Sequence, residues 1–388
     1  MVKSSEPIIR LAIALLISIA LPVSSTWAVT GFDARKSNQS ALTYPSSWPM
    51  YGFNAAHDAS FRVASDPEQS ASWKFAVPGD DGHVYALNAA DGKLRWKFDA
   101  RNQIMTTPIV AATARGRMVY VGGGNSDFVY SEAVKFAQHD AAATRGTGIN
   151  GIYALDAATG KELWKVNIGS FVSMSSATVS GNRVIMAGTH PDNLYAVDAD
   201  TGKLAWKAPL AAFSSSAGDC APAAAKGIVV TQIEAADGEP GKVASEEVAV
   251  DATTGKALWT TRLGMGAVPP RNKDAVPMIH GGVVYTGSPV TKTAYALNLE
   301  DGRILWSQPL ARMKAAPAVD NDHVFFALGN GTIAVPDRTS GRILNRYKSG
   351  NGGFGPQNPV IVNRTMYIGT NFGRVYAMPV ADIVAGKR

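Results

Sequence analysis

The sequence predicts an all-β fold built from one repeated unit, and three observations carry that prediction. A short phrase returns seven times along the 388 residues. Each full copy reads as a strand, a tight glycine turn and a second strand. Beyond the N-terminus no helical pattern of about 10 to 15 residues separates the copies, as a parallel α/β fold would require.

The first five copies are VYALNAADGKLRW ending at Trp96, IYALDAATGKELW at Trp164, LYAVDADTGKLAW at Trp206, VAVDATTGKALW at Trp259 and AYALNLEDGRILW at Trp306. IAVPDRTSGRILN follows, with Asn345 in place of the tryptophan, and VYAMP is the last, partial copy. Within one copy the run Val84 to Leu87 is strand-like in its β-branched and aromatic content. Asp91-Gly92-Lys93 then closes the turn, where glycine supplies positive φ and the preceding polar residue bonds the local backbone. Tyr85 and Leu87 point one way and Val84 and Ala86 the other, so both faces of the strand are buried.

Upstream of most hairpins lies a second strand pair, such as SSATVSGNRVIMAG before Asn193 and AVPMIHGGVVYTG before Thr293. Four strands per unit, recurring every roughly 40 to 50 residues, is the pattern of a β-propeller blade. The expected count is seven blades with the first incomplete, and eight is the alternative. Between Trp73 and Trp96 there is room for a single hairpin, so the first unit is expected to lack its two inner strands. The last unit lacks an outer strand after Met378, and Ala71 to Phe75 is expected to supply it, closing the ring with strands from both termini.

Composition fits this picture. The 38 glycines and 21 prolines suit frequent turns, and 46% hydrophobic content suffices for a large core. Residues 1–28 read as a signal peptide: Lys3 and Arg10 precede an apolar stretch from Leu11 to Val23, and Thr26-Trp27-Ala28 offers small residues at the cleavage positions. Pro22 and Ser24-Ser25 end that stretch short of a membrane span, so no span is expected after cleavage. The mature protein is expected in the periplasm or secreted. Residues 29–70 form an N-terminal arm, in which Trp48, Tyr51 and Phe53 are expected to pack as a clasp, and residues 71–388 form the propeller.

Cys220 is the only cysteine, which excludes an internal disulfide and a cluster of paired thiolates. It reads as a buried small hydrophobe. Cleavage of the signal lowers the formal net charge from +6 to +5, and the basic residues are scattered, so nucleic acid is not an expected partner. The six histidines show no metal spacing, and His139-Asp140 is the one pair placed as an acid and a base. In a propeller, the Gly-Lys turns share one face. The loops entering each innermost strand share the other with the loops between second and third strands, and that face carries the long insertion Gly122 to Asn150.

The phrase D-x-x-T-G-K-x-x-W resembles the repeat of the pyrroloquinoline quinone (PQQ) propellers over about residues 71 to 378. That family includes quinoprotein alcohol dehydrogenases, polyvinyl alcohol dehydrogenase-like proteins and the BamB-type propeller of outer-membrane protein assembly. The resemblance implies that Trp96, Trp164, Trp206, Trp259 and Trp306 dock against the neighbouring blade. In the quinoproteins an asparagine ending a G-T-G-N motif binds calcium beside the quinone, and GGGN here places Asn125 in that role, with Asp127 a second candidate ligand. Arg271 and Lys314, with Arg101, Lys273 and Arg312, are candidates to neutralise the three carboxylates of PQQ.

Other positions depart from the enzymes. The segment NIGSFVSMSSATVS has no acid where the quinoproteins carry their proposed base, no adjacent cysteine pair is present, and Gly329 stands where the family has a basic residue near the quinone. Two functions follow as expectations. The first is an exported, monomeric binding or scaffold protein for another envelope protein or polypeptide. The alternative is a dehydrogenase dependent on PQQ and Ca2+.

Overall fold

In the computed structural model the described residues are 60–61, 74–78, 82–88, 91–102, 104, 106–124, 148–169, 175–189, 191–211, 220–269, 274–349, 352–355, 357–371 and 374–387. They form seven sheets, six of them of consecutive antiparallel strands and the last joined by a parallel strand from the N-terminal side. The first holds β2 (Lys74–Pro78), β3 (His83–Asn88) and β4 (Leu94–Asp99), and the second β5 (Ile109–Thr113), β6 (Gly116–Gly123), β7 (Gly151–Asp156) and β8 (Glu162–Asn167). The third holds β9 (Thr178–Ser180), β10 (Arg183–Gly188), β11 (Asn193–Asp198) and β12 (Leu204–Pro209). The fourth, with the longest strands, holds β13 (Ala223–Ala225), β14 (Ile228–Ala236), β15 (Lys242–Asp251) and β16 (Ala257–Ala267). The fifth holds β17 (Met278–His280), β18 (Val283–Ser288), β19 (Thr293–Asn298) and β20 (Ile304–Pro309). The sixth holds β21 (Ala318–Val319), β22 (Val324–Ala327), β23 (Thr332–Pro336) and β24 (Ile343–Lys348). β25 (Val360–Val362), β26 (Thr365–Gly369) and β27 (Val375–Pro379) make up the last sheet with β1 (Ser60–Phe61), and helix α1 (Val380–Ala385) follows.

The first strands of neighbouring units lie against one another, β13 between β9 and β17, so they line the centre. Each outer strand locks onto the next sheet. Trp96, Trp164, Trp206, Trp259 and Trp306 donate from Nε1 to the carbonyls of Ala157, Ala199, Ala252, Leu299 and Arg338, at 3.2, 3.2, 3.0, 2.9 and 3.0 Å. Those carbonyls belong to the glycine turns. A Cβ on Gly160, Gly202, Gly255, Gly302 or Gly341 would come within 2.5–2.6 Å of the indole from the preceding sheet. The glycine thus meets two demands at once: positive φ for the turn, and room for the tryptophan.

Where an aspartate opens the turn, it holds the turn's shape. Asp198 Oδ1 accepts from Thr201 N at 3.0 Å and Thr201 Oγ1 at 2.8 Å, and Asp251 with Thr254 and Asp337 with Ser340 repeat the pattern. The hydroxyl bond, with the backbone bonds, holds these three carboxyls below their usual range.

Two expectations about the ends of the chain are corrected. KFAVP is not the outer strand of the last sheet: as β2 it pairs antiparallel with β3, Phe75 opposite Leu87, so among the described residues the first sheet has three strands, not two. A short connection to the adjacent strand prevails over a long-range pairing. The link between termini is instead Ser60–Phe61, which runs parallel to β25 with Ser60 opposite Ile361. Among the described residues no strand follows β27; α1 follows it and packs against β24 of the sixth sheet. Val380 and Ile383 bury their side chains, and the Asn345 carboxamide donates to Ile383 O at 2.6 Å. Gly386, at φ 71°, caps the helix, and a Cβ there would lie 3.1 Å from the Asn345 carboxamide. The helix C-terminus therefore takes the place of a glycine turn, and Asn345 the place of the tryptophan that would have met it.

Candidate functional site

Backbone bonds divide the loops between two faces. On one face the glycine turns join the turns after each first strand, through Ala199 N to Asn182 O (3.2 Å) and Ala252 N to Gly227 O (2.8 Å). On the other, the loops leaving each outer strand join those between second and third strands, through Leu210 N to Asp192 O (3.0 Å) and Leu310 N to Lys292 O (2.8 Å). Gly123 pairs with Gly151 at the end of the hairpin away from the glycine turn, so the chain leaves β6 and returns to β7 on this second, loop face.

Toward the loop face, buried polar side chains gather in the joint between the fourth and fifth sheets. Alternation along β14 and β15 sends the register pairs Val230–Ala249, Gln232–Glu247 and Glu234–Ser245 to one side of the sheet. The end nearer the glycine turns is apolar, where Val230, Ala249, Ile279, Val284 and Leu297 pack together. Toward the loop face the same layer turns polar. Gln232, Glu234, Ser245, Glu247, Thr286 and Ser288 are all 0% exposed, and Asp274 is 1% exposed. Buried groups of this kind persist only when bonded or put to use.

Gln232 ties this layer together. Its Oε1 accepts from Ala275 N at 2.7 Å, and its Nε2 donates to Gly287 O at 2.7 Å, Glu247 Oε1 at 2.9 Å and Thr286 Oγ1 at 3.1 Å. One carboxamide thus joins β14, β15, β18 and the connection that carries Asp274. Cys220 lies at the edge of this network, accepting from Gln232 N at 3.4 Å. Burial pushes the Glu247 carboxyl up to about 7, against the opposing effect of the Thr286 and Gln232 bonds. Burial, and then the Asp274 and Glu247 charges, push the Cys220 thiol far up, so it stays protonated.

Of the sequence candidates, Asn125, Asp127, His139, Asp140, Arg271 and Lys273 lie outside the described residues. Lys314 is half-buried, and its carbonyl accepts from Val276 N at 2.9 Å, which places its backbone beside the Asp274 segment. The half-buried Arg312 accepts on its carbonyl from Gly329 N at 2.8 Å, and Arg101 is exposed at φ 53°. His323 pairs with Asp320 at 2.9 Å on the turn face, away from the polar joint. Among the described residues no group of three or more His, Cys, Asp or Glu side chains is arranged to hold a metal ion, and no helix is long and apolar enough to cross a membrane.

Gln232, Glu247 and Asp274 were missed by the sequence reading, though a signal for Glu247 existed. Aligned on the turn aspartate or asparagine, Glu247 occupies the position of Val84, Ile152, Leu194, Ala294 and Ile333, each 0% exposed. Its partner Gln232 stands where the other units have Gly122, Ala187, Gly287 and Ala327. Cys220 recurs as Ser175 of the third unit, whose Oγ accepts from Ala187 N at 3.3 Å just as Cys220 accepts from Gln232 N.

Comparison with known proteins places this architecture. The family model described as "Outer membrane protein assembly factor BamB" matches residues 48–141 and 150–382. A tetrathionate hydrolase of Acidithiobacillus ferrooxidans is 27% identical over a 473-residue alignment covering 95% of this chain and 94% of that protein. A second tetrathionate hydrolase, from Acidianus ambivalens, is 32% identical over 330 residues, covering 79% of this chain and 56% of that protein. The quinohemoprotein alcohol dehydrogenase of Comamonas testosteroni shares the fold at a TM-score of 0.62 and 13% identity, over 86% of this chain and 71% of that one.

Proposed function

The chain belongs to the PQQ-repeat β-propeller family, and from that premise we propose that it is an exported hydrolase of tetrathionate, working at the loop-face end of the joint between the fourth and fifth sheets. The observation that carries this reading is the similarity to a tetrathionate hydrolase along nearly the whole of both chains. Breaking a sulfur–sulfur bond with water needs a group to take the proton and donors to steady the charge that develops. The Asp274 and Glu247 carboxyls act on the Cys220 thiol, and Glu247 stands where five other units bury an apolar residue. The surroundings are buried, so each of these polar contacts is stronger than it would be in water.

Of the residues that the resemblance assigns to a quinone and its calcium, Asn125, Asp127 and Arg271 lie outside the described residues, and Lys314 is half-buried. Gly329 stands where the family has a basic residue near the quinone, which favours the hydrolase over the dehydrogenase. The scaffold reading rests on the description of the family model and implies a protein partner in the envelope.

The test is direct. Purified protein is incubated with tetrathionate, and its consumption and the release of smaller sulfur oxyanions are followed by ion chromatography. Turnover supports the hydrolase; intact tetrathionate throughout a series from acid to mildly alkaline buffer, with a protein partner recovered by cross-linking, would favour the scaffold.

A further inference from the structure

Glu247 presents two carboxyl oxygens to different surroundings. Oε1 is engaged by the Gln232 carboxamide at 2.9 Å, whereas Oε2 has no hydrogen-bond partner among the described residues. Two residues back along β15 on the same face, the Ser245 hydroxyl is also fully buried without a partner. The other neutral groups of the layer are occupied: the Gln232 carboxamide as described, Thr286 by that carboxamide, and Ser288 Oγ by Thr291 N at 3.1 Å. Two unmet hydroxyl-type oxygens on one face, in a layer whose other neutral groups are bonded, are an arrangement a ligand would satisfy.

The charge environment narrows the ligand. Glu234 on β14 and Asp274 on the β16–β17 connection share this layer, Cys220 borders it, and β18 contributes only the neutral Thr286 and Ser288. Glu246 falls on the opposite face of β15, where its register partners are Ile233 and Arg262. An anion can bond the Glu247 carboxyl only while that carboxyl is uncharged, and an uncharged carboxyl is a hydrogen-bond donor. Burial that holds its proton up to about 7 provides that state in acid and near-neutral solution.

We propose that the Glu247 carboxyl and the Ser245 hydroxyl form a neutral donor pair that binds an oxygen of a sulfur oxyanion, the terminal sulfonate in the case of tetrathionate, with Gln232 as the positioning residue that turns Glu247 toward it. The proposal rests on the hydrolase reading for the identity of the sulfonate, though not for the existence of the oxyanion site. It also gives a reason for an acid at a position that is apolar in the other units.

The experiment measures binding of thiosulfate, a sulfur oxyanion used as the probe, to the full chain by calorimetry at pH 5, 6 and 8, alongside tetrathionate turnover. The wild type is expected to bind about tenfold more weakly at pH 8 than at pH 5, because the donor form is about one-tenth populated one unit above its pKa. Glu247→Gln keeps a neutral donor of the same size, so it retains affinity within a few-fold and loses the pH dependence. Glu247→Ala and Ser245→Ala each lose tenfold or more, with melting curves confirming that they fold. The proposal is overturned if wild-type affinity is flat from pH 5 to 8, if E247Q binds as weakly as E247A, or if thiosulfate does not bind. Thiosulfate binding that follows the expected pattern without tetrathionate turnover keeps the oxyanion site and rejects the substrate.

Discussion

Replacing Glu247 with glutamine isolates one titration in the middle of the molecule. The carboxyl is fully buried and its proton is held up to about 7, from an ordinary value of 4.5. The folded protein therefore binds this proton more tightly than the unfolded chain does. The resulting stability is fully present below about pH 4.5 and is lost as pH rises through about 7. The difference between those values corresponds to about 3 kcal/mol. For a chain of this size that is a shift in melting temperature of about 5 °C. E247Q keeps the shape and the Gln232 contact but cannot titrate. Most of the titration falls between pH 5 and pH 8, so melting curves at those two values should show the wild type losing about 4 °C more than E247Q. Equal losses in the two proteins would refute the claim that burial controls this carboxyl.

Three further predictions follow from the packing. Gly202→Ala places a methyl 2.5 Å from the Trp164 ring, whereas Gly92→Ala, at nearly the same φ, has no atom within 4 Å. The Gly92 change should cost about 1 kcal/mol of backbone strain and the Gly202 change about 1–3 kcal/mol more, measured by urea denaturation. Cys220→Ser should change stability by less than about 1 kcal/mol, since Ser175 accepts the corresponding backbone bond in the third unit at 3.3 Å, and a thermal melt checks it. Ile383→Ala, on the helix that follows β27, removes a side chain that is 0% exposed. It should cost about 2–5 kcal/mol and speed proteolysis near the C-terminus.

How far the sequence could be read depended on whether a feature repeated. The turn glycines and tryptophans were legible because one physical demand recurs in each unit: Gly160 must clear Trp96, and Gly202 must clear Trp164. The ends were not legible for the opposite reason. β2 and α1 each occur once, and the choice between pairing KFAVP locally or with the far end of the chain depends on a competition that strand propensity does not register. Asn345 was visible as a departure from tryptophan, but its partner, the C-terminus of a six-residue helix, was not. The polar layer was hidden because similarity between copies draws attention to what they share. Its signal was a difference: one glutamate in a position where five other units bury Val84, Ile152, Leu194, Ala294 and Ile333.

Glu247→Leu tests the central claim most directly, because it returns the fourth unit to the apolar residue that Leu194 supplies in the third. The account predicts that this variant melts at least as high as the wild type at pH 8, while tetrathionate consumption falls by a factor on the order of a hundred, as loss of a donor to developing charge does elsewhere. A folded E247L that consumes tetrathionate as fast as the wild type would contradict it.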